Sequence, residues 1–179
     1  QKRWDSIAKP LHSLGKLETL LIQIAGITGN AEVDLSRRGL IAMCADNGVV
    51  EEGVTQTGQE VTAIVAENFL KYDTSVGVMC KQNHAEIFPV DMGMVTDTKV
   101  RTDHKIAYGT QNMTKGPAMT REQAVKGLEA GIDMVRELND KGYRILATGE
   151  MGIGNTTTSS AVASVLLKQP VEEMRSEEH

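Results

Sequence analysis

Three short apolar runs dominate this sequence, and each closes on an acidic residue beside glycine: "LIAMCADNG" on Asp46, "EIFPVDMG" on Asp91 and "YRILATGE" on Glu150. Runs of this length bounded by turn residues read as buried strands. Helical patterns separate them. "EVTAIVAENFL" sets Val61, Ile64, Val65, Asn68 and Phe69 at helical spacing, and "TSVGVMCKQN" carries a second apolar stripe into the next strand. "TREQAVKGLEAGIDMVRELNDKG" opens with Thr120 and then Gln123, the spacing of a capping box, and ends near Gly142, a candidate left-handed cap. A last helical pattern starts at Thr156 or Thr157 and runs to about Lys168, with Pro170 as its stop.

Strands that alternate with helices of this length require crossover connections and therefore parallel pairing. The expected fold is α/β: an open, mainly parallel, Rossmann-like sheet flanked by helices. Residues 1–30 differ, since Pro10 and Gly15 precede a helix from Lys16 toward Ala25 and no strand accompanies it. They are expected to form the helical part of a small domain, an N-terminal attachment completed by a C-terminal region not in this chain. Residues 31–179 would then form the nucleotide-binding domain, itself incomplete. In open sheets of this kind ligands bind beyond the carboxyl ends of the strands, where Asp46, Asp91 and Glu150 all fall. The segment from Val95 to Thr120 is long, polar and weakly periodic, the character of a functional loop.

The junction "GEMGIGNTTTSS", Gly149 to Ser160, places a glycine-rich loop between a strand and a helix. That order presents free backbone N–H groups at the positive end of a helix dipole, where phosphate or carboxylate is favoured. No lysine follows Gly154 as a Walker loop needs, Thr157 stands where a dinucleotide fingerprint needs glycine, and no serine fits a nucleophile elbow. A monophosphate cradle remains, against the simpler reading of a tight turn capped by Thr156 or Thr157.

Composition narrows the partners. Nineteen basic against 24 acidic residues, with 3% aromatic content, disfavour nucleic acid and anionic membranes. No run approaches a membrane span, and Cys44 and Cys80 sit inside apolar patterns as reduced thiols of a cytoplasmic protein would. His12, His84, His104 and His179 are scattered and no ligand spacing occurs, so no metal and no cofactor is expected.

Several stretches together resemble one family, the nicotinate-nucleotide–dimethylbenzimidazole phosphoribosyltransferases of cobalamin lower-ligand assembly. They are "IAKPLHSLGKLE", "ADNGVVEEGVT", "QEVT", "VDMG", "GTQN", "GPAMT" and "GEMGIGNTT", in the family's order and over almost the whole chain. The resemblance implies transfer of 5-phosphoribose from nicotinate mononucleotide to 5,6-dimethylbenzimidazole, giving α-ribazole 5′-phosphate and nicotinate with inversion at the anomeric carbon. It implies a 5′-phosphate seat on Gly152, Gly154, Asn155, Thr156 and Thr157, with Glu150 steadying ribose hydroxyls. The base would lie against Thr57, Val61 and Val65, with Asp46 and Asn47 at its polar edge. A homodimer in the cytoplasm is implied as well.

Departures accompany the match. His12 stands where the family has glycine, Lys16 where it has arginine, Asn47 where many relatives have histidine, and Val65 where a polar contact to the benzimidazole is expected. The family's general-base glutamate falls beyond residue 179, and Glu177 and Glu178 do not match it. This chain is therefore expected to be part of something longer. Without that glutamate, the alternative is a mononucleotide-binding module that does not catalyse.

Overall fold

The computed structural model describes residues 1–174, so Glu177 and Glu178 lie outside the described residues. Two compact units divide the chain, residues 1–37 and 38–179. The first contains α1 (Lys2–Asp5) and α2 (Lys16–Thr28). Helix α2 begins at the expected Lys16 and runs one turn past Ala25 to a left-handed Gly29. The preceding turn is pinned by Lys9, whose Nζ lies 2.7 Å from Glu18 Oε1, and by the Leu14 N–H, which donates to the same oxygen at 3.2 Å. Lys9 thereby holds the buried Glu18 carboxyl below its usual range. His12, standing where the family has glycine, adopts a left-handed φ of 56°, the region glycine enters most easily.

The second unit contains β1 (Arg38–Ala45), α3 (Glu60–Lys71), α4 (Ser75–Gln82), β2 (Ala85–Gly93), α5 (Arg121–Asp140), β3 (Ile145–Met151), α6 (Asn155–Leu167) and α7 (Val171–Met174). The strands form one parallel sheet in the order β2-β1-β3, with Arg38 opposite both Ala85 and Ile145. This is the expected architecture. Asp46 follows β1, whereas Asp91 and Glu150 lie inside the last residues of β2 and β3.

The central strand is buried on both faces, which is why its sequence is continuously apolar. On one face Ala42 and Cys44 pack with Ala66 and Phe69 of α3, Met94 and Val100. On the other, Ile41 and Val90 meet Met134 and Leu138 of α5 and Tyr143, which stacks edge-on against Phe88 with ring centroids 5.2 Å apart. Burying each such side chain contributes about 1.5–3 kcal/mol. Pro89 is tolerated because, among the described residues, β2 pairs along its length with β1 alone.

Helix α5 carries the expected capping box: the Thr120 side chain accepts from the Gln123 N–H, and the Gln123 side chain accepts from the Thr120 N–H. Its other end closes as expected at Gly142, φ 88°, with the Tyr143 N–H reaching back to the Leu138 carbonyl at 3.0 Å. Helix α3 departs from its apolar pattern. It buries Thr62, Ala63, Ala66 and Phe69, while Ile64 is 58% exposed. The buried face joins two small residues, Ala63 and Ala66, to Phe69 and to one polar residue, Thr62, near its start.

The Val95–Thr120 segment has no helix or strand of its own, yet it is tied to the sheet. The Asp91 N–H donates to the Arg101 carbonyl at 2.8 Å, the Ile106 N–H to Met92 at 3.0 Å and the Gly109 N–H to Gly93 at 2.9 Å. The Thr110 N–H then reaches the Asp46 carbonyl at 3.0 Å, so the segment crosses the carboxyl ends of β2 and β1 in turn. Among the described residues no helix is long and apolar enough to cross a membrane.

Candidate functional site

The glycine loop begins as β3 ends. A Cβ on Gly152 would overlap the Ala45 carbonyl oxygen and stand 2.5 Å from Asn155 Oδ1, so only glycine lets the loop pass this close to the end of β1. Gly154, φ 90°, is the residue that caps α6, which starts at Asn155. Capping by Thr156 or Thr157 is therefore corrected: no side chain caps this helix, because a left-handed glycine turns the chain into it one residue earlier. The Asn155 N–H closes the turn on the Gly152 carbonyl at 3.1 Å, and the Thr158 N–H makes the first helical bond, to Gly154, at 3.1 Å. The N–H groups of Gly154, Thr156 and Thr157 take no hydrogen-bond partner among the described residues. No acidic residue occupies the first turn of α6, so its positive end is not neutralised from within.

The loop's inward side is held from β1 and α3. The Ile153 N–H donates to Thr62 Oγ1 at 3.1 Å, and Asn47 Nδ2 donates to the Ile153 carbonyl at 3.0 Å. The same amide nitrogen donates to Asn155 Oδ1 at 2.7 Å, and Asn155 Nδ2 in turn donates to Glu150 Oε2. Gln59 Nε2, at the start of α3, holds the Asn47 carbonyl at 3.0 Å. Asn47 and Thr62 are buried, whereas Glu150 is exposed beside the loop.

The acids at the strand ends differ in surroundings. Asp91 is fully buried; its Oδ1 accepts the Met94 N–H at 2.7 Å and its Oδ2 lies 3.0 Å from Lys105 Nζ. Lys105 also sits 3.7 Å from the centre of the Tyr108 ring. Asp46, equally buried, has no cation in ion-pair contact among the described residues: the Val95 N–H reaches Oδ2 at 2.8 Å, and Oδ1 has no hydrogen-bond partner among them. Burial pushes the Asp46 carboxyl above its usual range, opposed by the Thr62 hydroxyl and the Val95 N–H. Burial, reinforced by the charges of Asp91, Glu150 and Asp46, also pushes the Cys44 thiol up to about 12.

The sequence-predicted site residues thus divide. Gly152, Gly154, Asn155, Thr156, Thr157, Glu150, Asp46 and Asn47 gather around the ends of β1 and β3. Thr57 lies in an exposed turn before α3, while Val61 and Val65 are half-buried on α3, and Val65 packs against the core beside Met151. Sequence reasoning assigns no role to Thr62 or Gln59, although both stand in the quoted "QEVT". A threonine at helical spacing from Ala66 and Phe69, on the buried face of α3, is the signal that points to the first. On the α5 side, a cavity of about 460 Å³ opens beyond β1 and β2, lined by Asp46, Thr110, Gln111, Met119 and Leu128 among others. No group of three or more His, Cys, Asp or Glu among the described residues is placed to hold a metal.

Comparison with known proteins bears on this geometry. A family model described as phosphoribosyltransferase matches residues 1–177. The chain is 51% identical over 176 residues to a nicotinate-nucleotide–dimethylbenzimidazole phosphoribosyltransferase of Clostridium acetobutylicum, covering 97% of this chain and 50% of that protein. It is 49% identical over 166 residues to the protein of the same name from Clostridium tetani, covering 92% and 46%. Among solved structures, CobT from Thermus thermophilus superposes with a TM-score of 0.85 at 36% identity, over 94% of this chain and 51% of that one. The chain spans about half the length of the relatives it matches.

Proposed function

Because this chain belongs to the phosphoribosyltransferase family that its sequence matches over residues 1–177, we propose that it takes part in moving 5-phosphoribose from nicotinate mononucleotide to 5,6-dimethylbenzimidazole. The products are α-ribazole 5′-phosphate and nicotinate, in assembly of the lower ligand of cobalamin. One observation carries this reading: the uncapped start of α6, where the N–H groups of Gly154, Thr156 and Thr157 lie free beyond a glycine loop. An esterified phosphate there gains the helix dipole and several charge-assisted hydrogen bonds without a metal. The Thr156 and Thr157 hydroxyls add donors, with Gly152 and Asn155 shaping the seat.

The chemistry asks little more of these residues than positioning. Nicotinate leaves from a pyridinium, so the glycosidic bond of the donor is already polarised, and the phosphate anchor leaves the opposite face of the ribose open to an attacking ring nitrogen. Glu150, held by Asn155 beside the seat, receives the ribose hydroxyls. The flat base lies against Val61 and Val65 near Thr57, with Asp46 and Asn47 at the polar edge. In the same reading the protein works as a homodimer in the cytoplasm, where the buried thiols Cys44 and Cys80 stay reduced.

The test is calorimetric titration of the full-length protein with nicotinate mononucleotide, followed by product analysis after adding dimethylbenzimidazole. Saturable binding and formation of α-ribazole 5′-phosphate are expected. Absence of binding overturns the reading, and binding without product replaces it with a mononucleotide-binding module.

A further inference from the structure

We propose that Asn47 and Thr62 are positioning residues that hold the two peptides flanking Ile153, one by its carbonyl and the other by its N–H, and so decide which N–H groups of the glycine loop face a ligand. The inference rests on the phosphate seat proposed above but concerns residues that do not touch the phosphate. A loop this rich in glycine has little steric preference of its own, so its orientation has to come from outside it. Two residues distant in sequence supply it. Thr62 Oγ1 accepts from the Ile153 N–H at 3.1 Å, and Asn47 Nδ2 donates to the Ile153 carbonyl at 3.0 Å. With the Asn155 N–H turned back to Gly152 at 3.1 Å, the inward donors are Ile153 and Asn155. Those left outward are Gly154, Thr156 and Thr157.

The orientation of the Asn47 amide follows from its partners. Both the Ile153 carbonyl and Asn155 Oδ1 are acceptors of Nδ2, so both amide hydrogens are committed to the loop and the polar edge that Asn47 offers a base is its Oδ1. The same bond fixes Asn155, which must present its oxygen to Asn47 and its NH2 to Glu150. Asn47 therefore acts twice, through the Ile153 carbonyl on the phosphate seat and through Asn155 on the carboxylate that receives ribose. Gln59 and Thr62 lie three apart at the start of α3, on neighbouring positions of one face. The Gln59 bond to the Asn47 carbonyl, 3.0 Å, ties both halves of the grip to that helix.

The experiment compares Thr62→Val, Thr62→Ser and Asn47→Asp in the full-length protein, reading KM for each substrate and kcat, or Kd for nicotinate mononucleotide if the protein binds without converting it. Valine keeps the shape of threonine and loses the acceptor. Thr62→Val is expected to raise the KM or Kd for the mononucleotide about tenfold with the KM for dimethylbenzimidazole unchanged, and Thr62→Ser to restore it. Asn47→Asp cannot donate; it draws the NH2 of Asn155 away from Glu150 and lowers kcat by about tenfold or more. Wild-type mononucleotide affinity in Thr62→Val, a serine variant as impaired as the valine one, or equal weakening toward both substrates overturns the proposal while leaving the phosphate seat standing. A wild-type protein that does not bind the mononucleotide at all removes the seat and this inference together.

Discussion

The carboxyl ends of β1 and β2 carry the same residue type at the same depth and use it differently. Asp91 and Asp46 are both fully buried at strand ends beside glycine. Below β2, Lys105 Nζ sits 3.0 Å from Asp91 Oδ2 and brings with it the segment that runs from Arg101 to Gly109. Below β1, Asp46 is served by a backbone N–H and a hydroxyl, with one oxygen lacking a partner among the described residues. The first arrangement fastens a loop. The second keeps a polar floor with no cation in contact under the turn that holds the glycine loop, where a resident cation would compete with the loop's N–H groups for an incoming phosphate.

Removing the cation under β2 is the strongest way to break the comparison. Lys105→Met leaves Asp91 buried without its counter-charge and is expected to destabilise the fold by about 3–5 kcal/mol, measured by denaturant unfolding. Adding Asp91→Asn, which keeps the oxygen that accepts the Met94 N–H at 2.7 Å, should recover most of the loss. If the single variant costs no more than a surface ion pair, about 1 kcal/mol or less, Lys105 does not fasten the segment. Under β1 the corresponding blow is Gly152→Ala, whose Cβ overlaps the Ala45 carbonyl oxygen. Overpacking of that kind costs about 1–3 kcal/mol, and here it also displaces the loop. Mononucleotide binding by calorimetry is expected to fall further than stability does, whereas Lys105→Met is expected to do the reverse.

The contrast is only half legible in the sequence. Strand, acid and glycine recur visibly three times, and the Thr120–Gln123 spacing and Gly142 mark both ends of α5, because these signals are local. What separates Asp46 from Asp91 is not local. Lys105 stands inside a polar segment without periodicity, and its partner is fixed only when the Ile106 and Gly109 N–H groups dock on β2. Thr62 escapes notice because hydrophobic periodicity on α3 favours Ile64, which is exposed, over a threonine whose burial is explained by a bond to Ile153, 91 residues away. The sequence puts the start of α6 at the threonines because threonine is a good cap wherever it occurs, and only the φ of 90° at Gly154 shows that the turn needs none.

A finer test lies in the pH dependence of stability. Burial raises the folded Asp46 carboxyl above its ordinary value of 3.8, so the folded state holds this proton more tightly than the unfolded chain. The stability this contributes is fully present below the unfolded value and is lost as pH rises through the raised folded one. Asp46→Asn keeps an oxygen for the Val95 N–H and removes the titration. The stability difference between wild type and Asp46→Asn should therefore shift toward the variant by about 1 kcal/mol or more for each unit by which the folded value is raised, as pH climbs from acid to neutral. Asp103, held down by Arg101, and Glu137, held down by Lys141 first and Arg101 second, titrate in the opposite sense, but they contribute equally to both proteins and cancel in the difference. A flat difference would mean that burial does not raise the Asp46 carboxyl.

The smallest effect reads the same floor from its other side. Cys44 lies in β1 with its thiol pushed up to about 12 by burial, and the charges of Asp91, Glu150 and Asp46 add to that shift. At neutral pH almost none of it is thiolate, so alkylation of the native protein by iodoacetamide should spare Cys44 and proceed only after unfolding. Because alkylation runs through unfolding, Lys105→Met should speed it in step with the stability lost in denaturant. Asp46→Asn should change it only as far as it changes stability at the same pH. Rates that track the unfolding free energies of the variants would show that burial in the sheet protects Cys44; rates that ignore them would show that the thiol is reached without unfolding.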